Sequence, residues 1–169
     1  AAHNGEKELP ERAFVITFDD GFENNYSIAA PILDDFNIPA TFYVTTGFIE
    51  DNSASWIDMI EYAFDRNSRI DVELFGKNMM CCDDDSKISL LEEIRRIVKN
   101  DAGIKPYELA SNILLQLGGV PFQPDRELDQ KMSWEQVRGL DNSSLFTVGG
   151  HSHTHNILSF MNYDEMKSD

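Results

Sequence analysis

Apolar and polar positions fall into two kinds of block along the chain. Ala13, Phe14, Val15, Ile16 and Phe18 form a short apolar run rich in β-formers, which predicts a buried strand over 13–18 that stops at Asp19-Asp20-Gly21. Between Ser27 and Phe36, the residues Ile28, Ile32, Leu33 and Phe36 recur at helical spacing, and Pro31 suits a first turn. "IPATFYVTTG" predicts a second strand, closed by Thr45, Thr46 and Gly47. Strand, helix and strand within roughly 35 residues make a βαβ unit, hence a parallel pair joined by a right-handed crossover.

From about 50 to 131 the pattern becomes mostly helical. "SWIDMIEYAF" has helical spacing, and "RIDVELFGKNMMC" alternates like a hairpin around Gly76, Lys77 and Asn78. "SKISLLEEIRRIVKN" is amphipathic, and "KPYELASNILLQLGG" carries Pro106 at its start and Gly118 at its end. This block is too long for a simple connection, so it is expected to be an insertion beside the main sheet, serving either to shape a substrate site or as structural cover. The α/β pattern then resumes. Ser133 and Gln136 have capping-box spacing, "LFTVGG" predicts a third strand that ends in "HSHTH", and Asn162 with Glu165 repeats the capping spacing.

Composition narrows the function. A length of 169 residues fits one domain, 1–169, and 41% hydrophobic residues suffice for a core. A net charge of -16 disfavours nucleic acid and anionic membranes and suits a neutral or cationic substrate. No apolar stretch is long enough to span a bilayer and no leader pattern opens the chain. The expectation is a soluble protein, either cytoplasmic or exported with a signal already removed before Ala1. Cys81 and Cys82 are adjacent and poorly placed to bond to each other, so two reduced thiols on a half-buried strand are expected.

Asp-Asp-Gly alone reads as a turn. In parallel α/β folds, however, ligands bind at the carboxyl ends of strands, and Asp19 and Asp20 stand at one such end. Two carboxylates there can divide the work, one holding a cation and the other acting as a general base. At the end of the third predicted strand, three of the four histidines fall within 151–155. His151 and His155 are four apart, so a helical turn would bring both imidazoles to one face, as two nitrogen ligands of one ion. Two imidazoles plus one aspartate leave positions open for water, the arrangement of a catalytic metal site. The plain alternative is a solvated cluster with no metal.

These residues resemble the NodB-type polysaccharide deacetylases, metal-dependent carbohydrate esterases that remove acetyl groups from N-acetylated sugars. "TFDDGF" is similar to the family's first motif, T-F-D-D-G, and "HSHTH" to its second, H-[ST]-x-x-H. "AAPILDDFNIPATFYVTTG" and "MSWEQVRGL" leading to "VGGHSHTHNILS" match in wording and order, and "WIDMIEYAF" resembles a helix of some members. The resemblance implies part of a distorted seven-stranded (β/α) barrel with a largely helical insertion. It implies Asp19 as catalytic base, Asp20, His151 and His155 as ligands of one divalent ion, zinc with cobalt or nickel as substitutes, and an N-acetylated saccharide as substrate. His153, Ser152, Gly21 and Trp56 are expected to support or line the site. A reading with alternate histidines on a strand would recruit His153, but the further ligands of such metallohydrolases have no match.

The family's later motifs, R-x-x-P-[YF]-G, an aspartate- and tryptophan-containing segment, and L-x-H with its acid histidine, do not occur before Asp169. The expectation is therefore a chain that stops part-way through the barrel, with the base and ligands present, and with a sheet edge open to self-association. Two other classes stay in view: a non-catalytic metal- or saccharide-binding module, and an amidase acting on a non-sugar amide.

Overall fold

The computed structural model describes residue 8 and residues 11–119, 121–125 and 127–169. The opening Ala1–Gly5, where a leader would have ended, lies outside the described residues, as do Val120 and Arg126 of the expected insertion. Two cores organise the chain, one under a parallel sheet and one inside the helical block.

The sheet has three strands, β1 (Thr17–Phe18), β2 (Ala40–Val44) and β5 (Phe146–Gly150), all parallel, in the order β1-β2-β5. Register is set by the apolar side chains that share one face: Phe18 pairs with Phe42, and Phe42 with Val148. The Phe18 and Phe42 rings stack with centroids 5.0 Å apart, and Phe146 meets Phe42 edge-on at 5.3 Å. Ala30, Leu33, Ala40, Val44, Ile49, Met132, Val137 and Leu140 complete this core.

Several sequence expectations change here. The first strand is two residues long rather than six, and Phe14 and Val15 are 78% and 80% exposed, because no described neighbour pairs with that stretch. The crossover starts as a π-helical turn, Asn25–Ala29, and becomes α1 (Ala30–Asp35) with Pro31 in its first turn, where its missing N–H costs least. Of its four apolar positions only Leu33 is buried. Ile28, Ile32 and Phe36 form a stripe 59%, 53% and 72% exposed. The second strand ends at Val44, and Thr46 and Gly47, expected to close it, instead open a helix, α2 (Thr46–Asp51).

The block between β2 and β5 is helical around a hairpin: α3 (Trp56–Asp65), β3 (Ile70–Leu74), β4 (Lys77–Cys81), α4 (Asp84–Val98) and α5 (Pro106–Gln116). The hairpin turns at Phe75-Gly76, one residue earlier than expected, since both adopt positive φ (52° and 74°) and so make the tight turn that suits strand twist. Its inner face, Ile70, Val72 and Leu74, packs with Ile60, Phe64, Ile94, Val98, Ala110 and Ile113. Ser55 and Asp83 cap α3 and α4 with reciprocal capping boxes, and in the second the Ser86 hydrogen bonds hold the Asp83 carboxyl below its ordinary value. Cys81 is buried and Cys82 exposed, both as free thiols. Ser133 and Asn162 cap α6 (Trp134–Asp141) and α7 (Tyr163–Ser168) as their spacing predicts.

Candidate metal centre

The carboxyl ends of β1, β2 and β5 meet at one place, and each contributes to it. After β1 the chain turns sharply. Asp20 (φ 68°) and Gly21 (φ 74°) both take left-handed conformations, unusual for an aspartate. That turn is braced by the segment that returns from the helical block: Met132 N–H donates to Gly21 O (2.8 Å), Glu23 N–H to Gln130 O (2.7 Å), and Phe22 bridges Lys131. Gly21 is required twice over, by its φ and because a Cβ there would lie 2.7 Å from Ile49 Cδ1.

After β5, residues 151–157 are a loop rather than the helical turn the His151–His155 spacing suggested. The loop still brings the two imidazoles together, through positive φ at Ser152 (63°) and His155 (54°), with ring centroids 5.1 Å apart. It is fastened on three sides. His155 N–H donates to Ser152 Oγ at 3.0 Å. Thr46 N–H and Gly47 N–H donate to the carbonyls of Ser152 (3.1 Å) and His153 (3.0 Å). From α7, the Asp169 carboxylate accepts from Thr154 N–H (2.7 Å) and Oγ (2.6 Å). Burial works against the Asp169 charge, but the hydrogen bonds from Thr154, Ser152 and His153 outweigh it and hold that carboxyl below its ordinary value.

The result is a cluster of Asp20, His151 and His155, each half-buried, whose ligand atoms lie within 4.8 Å of one another. Asp20 Oδ1 is 3.7 Å from His151 Nε2 and 3.2 Å from His155 Nε2. Zinc bonds of about 2.0–2.2 Å at a tetrahedral angle would place neighbouring ligand atoms about 3.4 Å apart, so these separations suit donors of one shared ion. One carboxylate and two imidazoles are also the donor types zinc takes, and these residues could hold a metal.

The other expected residues fall around this cluster. Asp19 is exposed on the same turn and outside the ligand set. His153 is also outside it, exposed, with Nδ1 2.8 Å from Thr46 Oγ, so the alternate-histidine reading finds no cluster to join. Trp56 belongs to the core of the helical block, buried beside Ile60 and Phe64.

Four residues that sequence reasoning passed over also shape the site. Thr45, fully buried, donates from Oγ to His151 O at 3.0 Å and lies 3.5 Å from Asp20 Oδ1. Gly47 allows the strand end to meet the histidine loop, since a Cβ there would lie 2.5 Å from His153 O. Lys131 is only 4% exposed, and its Nζ has no hydrogen-bond partner among the described residues. The ammonium rests 3.2 Å from the centroid of Phe22 and 5.1 Å from that of Phe48, whose ring packs on His155 at 5.5 Å. Burial lowers its pKa to about 8, despite the nearby carboxylates of Asp58, Asp20 and Asp129. Tyr107, on the first turn of α5, is pushed up to about 12, first by burial and then by the charges of Asp58 and Asp20. Of these four, the sequence pattern marks only Thr45 and Gly47, as part of the "TTG" that closes the second predicted strand.

A family model described as polysaccharide deacetylase matches residues 6–169. The chain belongs to the polysaccharide deacetylase family. Within that family, the poly-β-1,6-N-acetyl-D-glucosamine N-deacetylases of Escherichia coli K12 and of E. coli O157:H7 are each 42% identical to it over 57 residues. That segment is 34% of this chain and 7% of theirs, so the match spans a small part of those relatives. Two solved structures are also similar, a de-N-acetylase from Aggregatibacter actinomycetemcomitans (15% identity, 95% of this chain and 79% of that one) and the BpsB deacetylase domain from Bordetella bronchiseptica (16%, 90% and 76%). Both superpose with a TM-score of 0.29.

Proposed function

We propose that this deacetylase-family chain carries the metal-binding half of a hydrolytic site that removes N-acetyl groups from an amino-sugar saccharide, with β-1,6-linked N-acetylglucosamine as the leading substrate class. The observation that carries the reading is the convergence of Asp20, His151 and His155, with Asp19 beside them but outside the ligand set. Family membership and the two E. coli relatives support the reaction and the saccharide.

In this reading Asp20, His151 and His155 hold one divalent ion, zinc first and cobalt or nickel as substitutes. Bound there, such an ion supplies Lewis acidity, which lowers the pKa of water and polarises an acetamide carbonyl. Asp19, exposed at the same turn, takes the proton from the attacking water, which requires a carboxylate not spent on coordination. Thr45 holds His151 by its carbonyl, and Ser152 fixes His155 through its backbone N–H. The leaving amine needs a proton from an acid that the family places in a later motif. The sheet is read as part of a distorted (β/α) barrel within one domain over 1–169, and self-association through a sheet edge is the other partner for β1 or β5.

Metal binding and released acetate test this on the full-length gene product. Asp20→Ala or His155→Ala is expected to abolish binding of a single zinc ion, whereas Asp19→Asn keeps the ion and loses acetate release from N-acetylglucosamine oligomers. Full activity of Asp19→Asn would overturn the base assignment, and unchanged zinc affinity in His155→Ala would overturn the ligand set.

A further inference from the structure

Helix α7 has no part in either core. None of its residues is buried, and its largest apolar side chains, Tyr163 and Met166, are exposed. So short a helix gains little from propensity alone and ordinarily stays in place by burying one face. α7 is instead held at its two ends. Asn162 and Glu165 close a reciprocal capping box at its start, and at its finish Asp169 N–H donates to Glu165 O at 2.9 Å, which fixes the backbone that carries the Asp169 side chain. That side chain reaches back to the histidine loop. Its Oδ1 accepts from both the N–H (2.7 Å) and the Oγ (2.6 Å) of Thr154, the residue before His155. Thr154, Ser152 and His153 together hold the carboxyl below its ordinary value, so it is ionised at neutral pH and the bonds to it belong to the stronger, charge-assisted class.

The loop needs such a hold. Residues 151–157 contain no helix or strand, and Ser152 (φ 63°) and His155 (φ 54°) stand in left-handed conformations that residues with a Cβ rarely adopt and that persist only where the surroundings impose them. One tie, from His155 N–H to Ser152 Oγ, lies inside the loop. Thr45, Thr46 and Gly47 bind it to the end of β2. Asp169 binds it to the chain that follows.

We infer that Asp169 is a positioning residue for the metal cluster: from the end of α7, its carboxylate sets the loop conformation in which His151 and His155 turn their imidazoles toward Asp20. The inference rests on the reading of Asp20, His151 and His155 as ligands of one ion, and it gives α7 a task that its exposed surface does not otherwise explain. Asp169 acts through Thr154 rather than on the ion, in the way that a group behind a ligand fixes where that ligand points.

The test compares Asp169→Ala, Asp169→Asn and Ile94→Ala in the full-length gene product. Zinc affinity by calorimetry is expected to fall about 10–100-fold in Asp169→Ala, the usual effect of losing a group that orients a metal ligand. Asp169→Asn keeps an oxygen that can accept from Thr154 and should recover most of that loss. Ile94→Ala opens a cavity in the helical core, so it lowers stability without touching the loop and should leave zinc affinity in the folded protein at the wild-type level. A second measurement needs no metal. In chelator, hydrogen exchange at His155 N–H, a group bonded to Ser152 and not to Asp169, should quicken at least about tenfold in Asp169→Ala. Wild-type zinc affinity in Asp169→Ala, an equal loss in Ile94→Ala, or an unchanged exchange rate at His155 overturns the proposal. So does an Asp169→Asn variant as weak as Asp169→Ala, since the effect would then lie in the charge and not in the hold on Thr154. A wild type that binds no zinc would instead sink the ligand reading, and the exchange rates would still decide whether Asp169 orders the loop.

Discussion

Replacing Lys131 with methionine should make the metal-free protein more stable at neutral pH, although it removes a side chain from beside the proposed site. Lys131 is buried with no hydrogen bond to its ammonium among the described residues, and its pKa falls from an ordinary 10.5 to about 8. At about 1.4 kcal/mol per pH unit, keeping that charge in the folded state costs about 3 kcal/mol. Attraction to the Phe22 and Phe48 rings returns about 1–2 kcal/mol. A methionine of similar length fills the space without the charge, so a net gain of about 1–2 kcal/mol follows, or about 3–6 °C in Tm for a chain of this size. The sign with pH is fixed by linkage. Between about pH 8 and 10.5 the unfolded chain binds the proton that the folded chain has released, so the wild type gains stability as pH rises through that window. Lys131→Met lacks the titrating group and should show no such rise, so its advantage is full below about pH 8 and gone by about pH 10.5. Urea unfolding in chelator at pH 7, 9 and 10.5 measures this. A variant less stable than the wild type at pH 7, or a difference that does not change with pH, would refute the account of the buried charge.

Three further substitutions probe the scaffold of the site. Gly47→Ala forces a methyl against the His153 carbonyl, which cannot move without the loop, so a loss of about 1–3 kcal/mol in thermal unfolding and a weaker zinc affinity by calorimetry are expected. Thr45→Val removes the buried donor to His151 O; about 1–2 kcal/mol of stability should go with it, together with zinc affinity, while the circular dichroism spectrum stays the same. Trp56→Ala should cost about 3–5 kcal/mol because it opens a cavity in the helical core, yet leave zinc affinity in the folded fraction unchanged; a selective loss of metal would return Trp56 to the site.

The parts of this fold that were legible are those where local chemistry and tertiary packing agree. Ser133 and Asn162 sit three residues before their capping partners and cap helices as read, because a capping box is a local arrangement. "FTVGG" of the predicted "LFTVGG" is a strand, since it pairs in parallel with β2 along its whole length. Phe14, Val15, Ile28, Ile32 and Phe36 misled for the opposite reason: their spacing marks an apolar face, but burial depends on a partner that sequence spacing does not supply. At the candidate site, the residue types that come together were readable while their geometry was not. His151 and His155 were placed on a helical turn, and they meet instead through two left-handed residues in a loop, a conformation without a sequence signature at Ser or His. Lys131 is brought beside Phe48, whose ring packs on His155, by a segment 111 residues along the chain from Asp20, so nothing in its own neighbourhood announces it.

One small contact has a wider consequence. Asn52, at the end of α2 with φ 47°, accepts from the backbone N–H of Lys131 at 2.9 Å, so the points where the chain leaves the sheet region and returns to it are joined to each other. The intervening stretch is thus a closed appendix on a fixed stem. Because loop-closure entropy grows only slowly with length, such an appendix can lengthen, shrink or be exchanged for another without moving the turn that carries Asp20. The appendix is thus free to vary while Asp20 and the residues that brace its turn stay where they are.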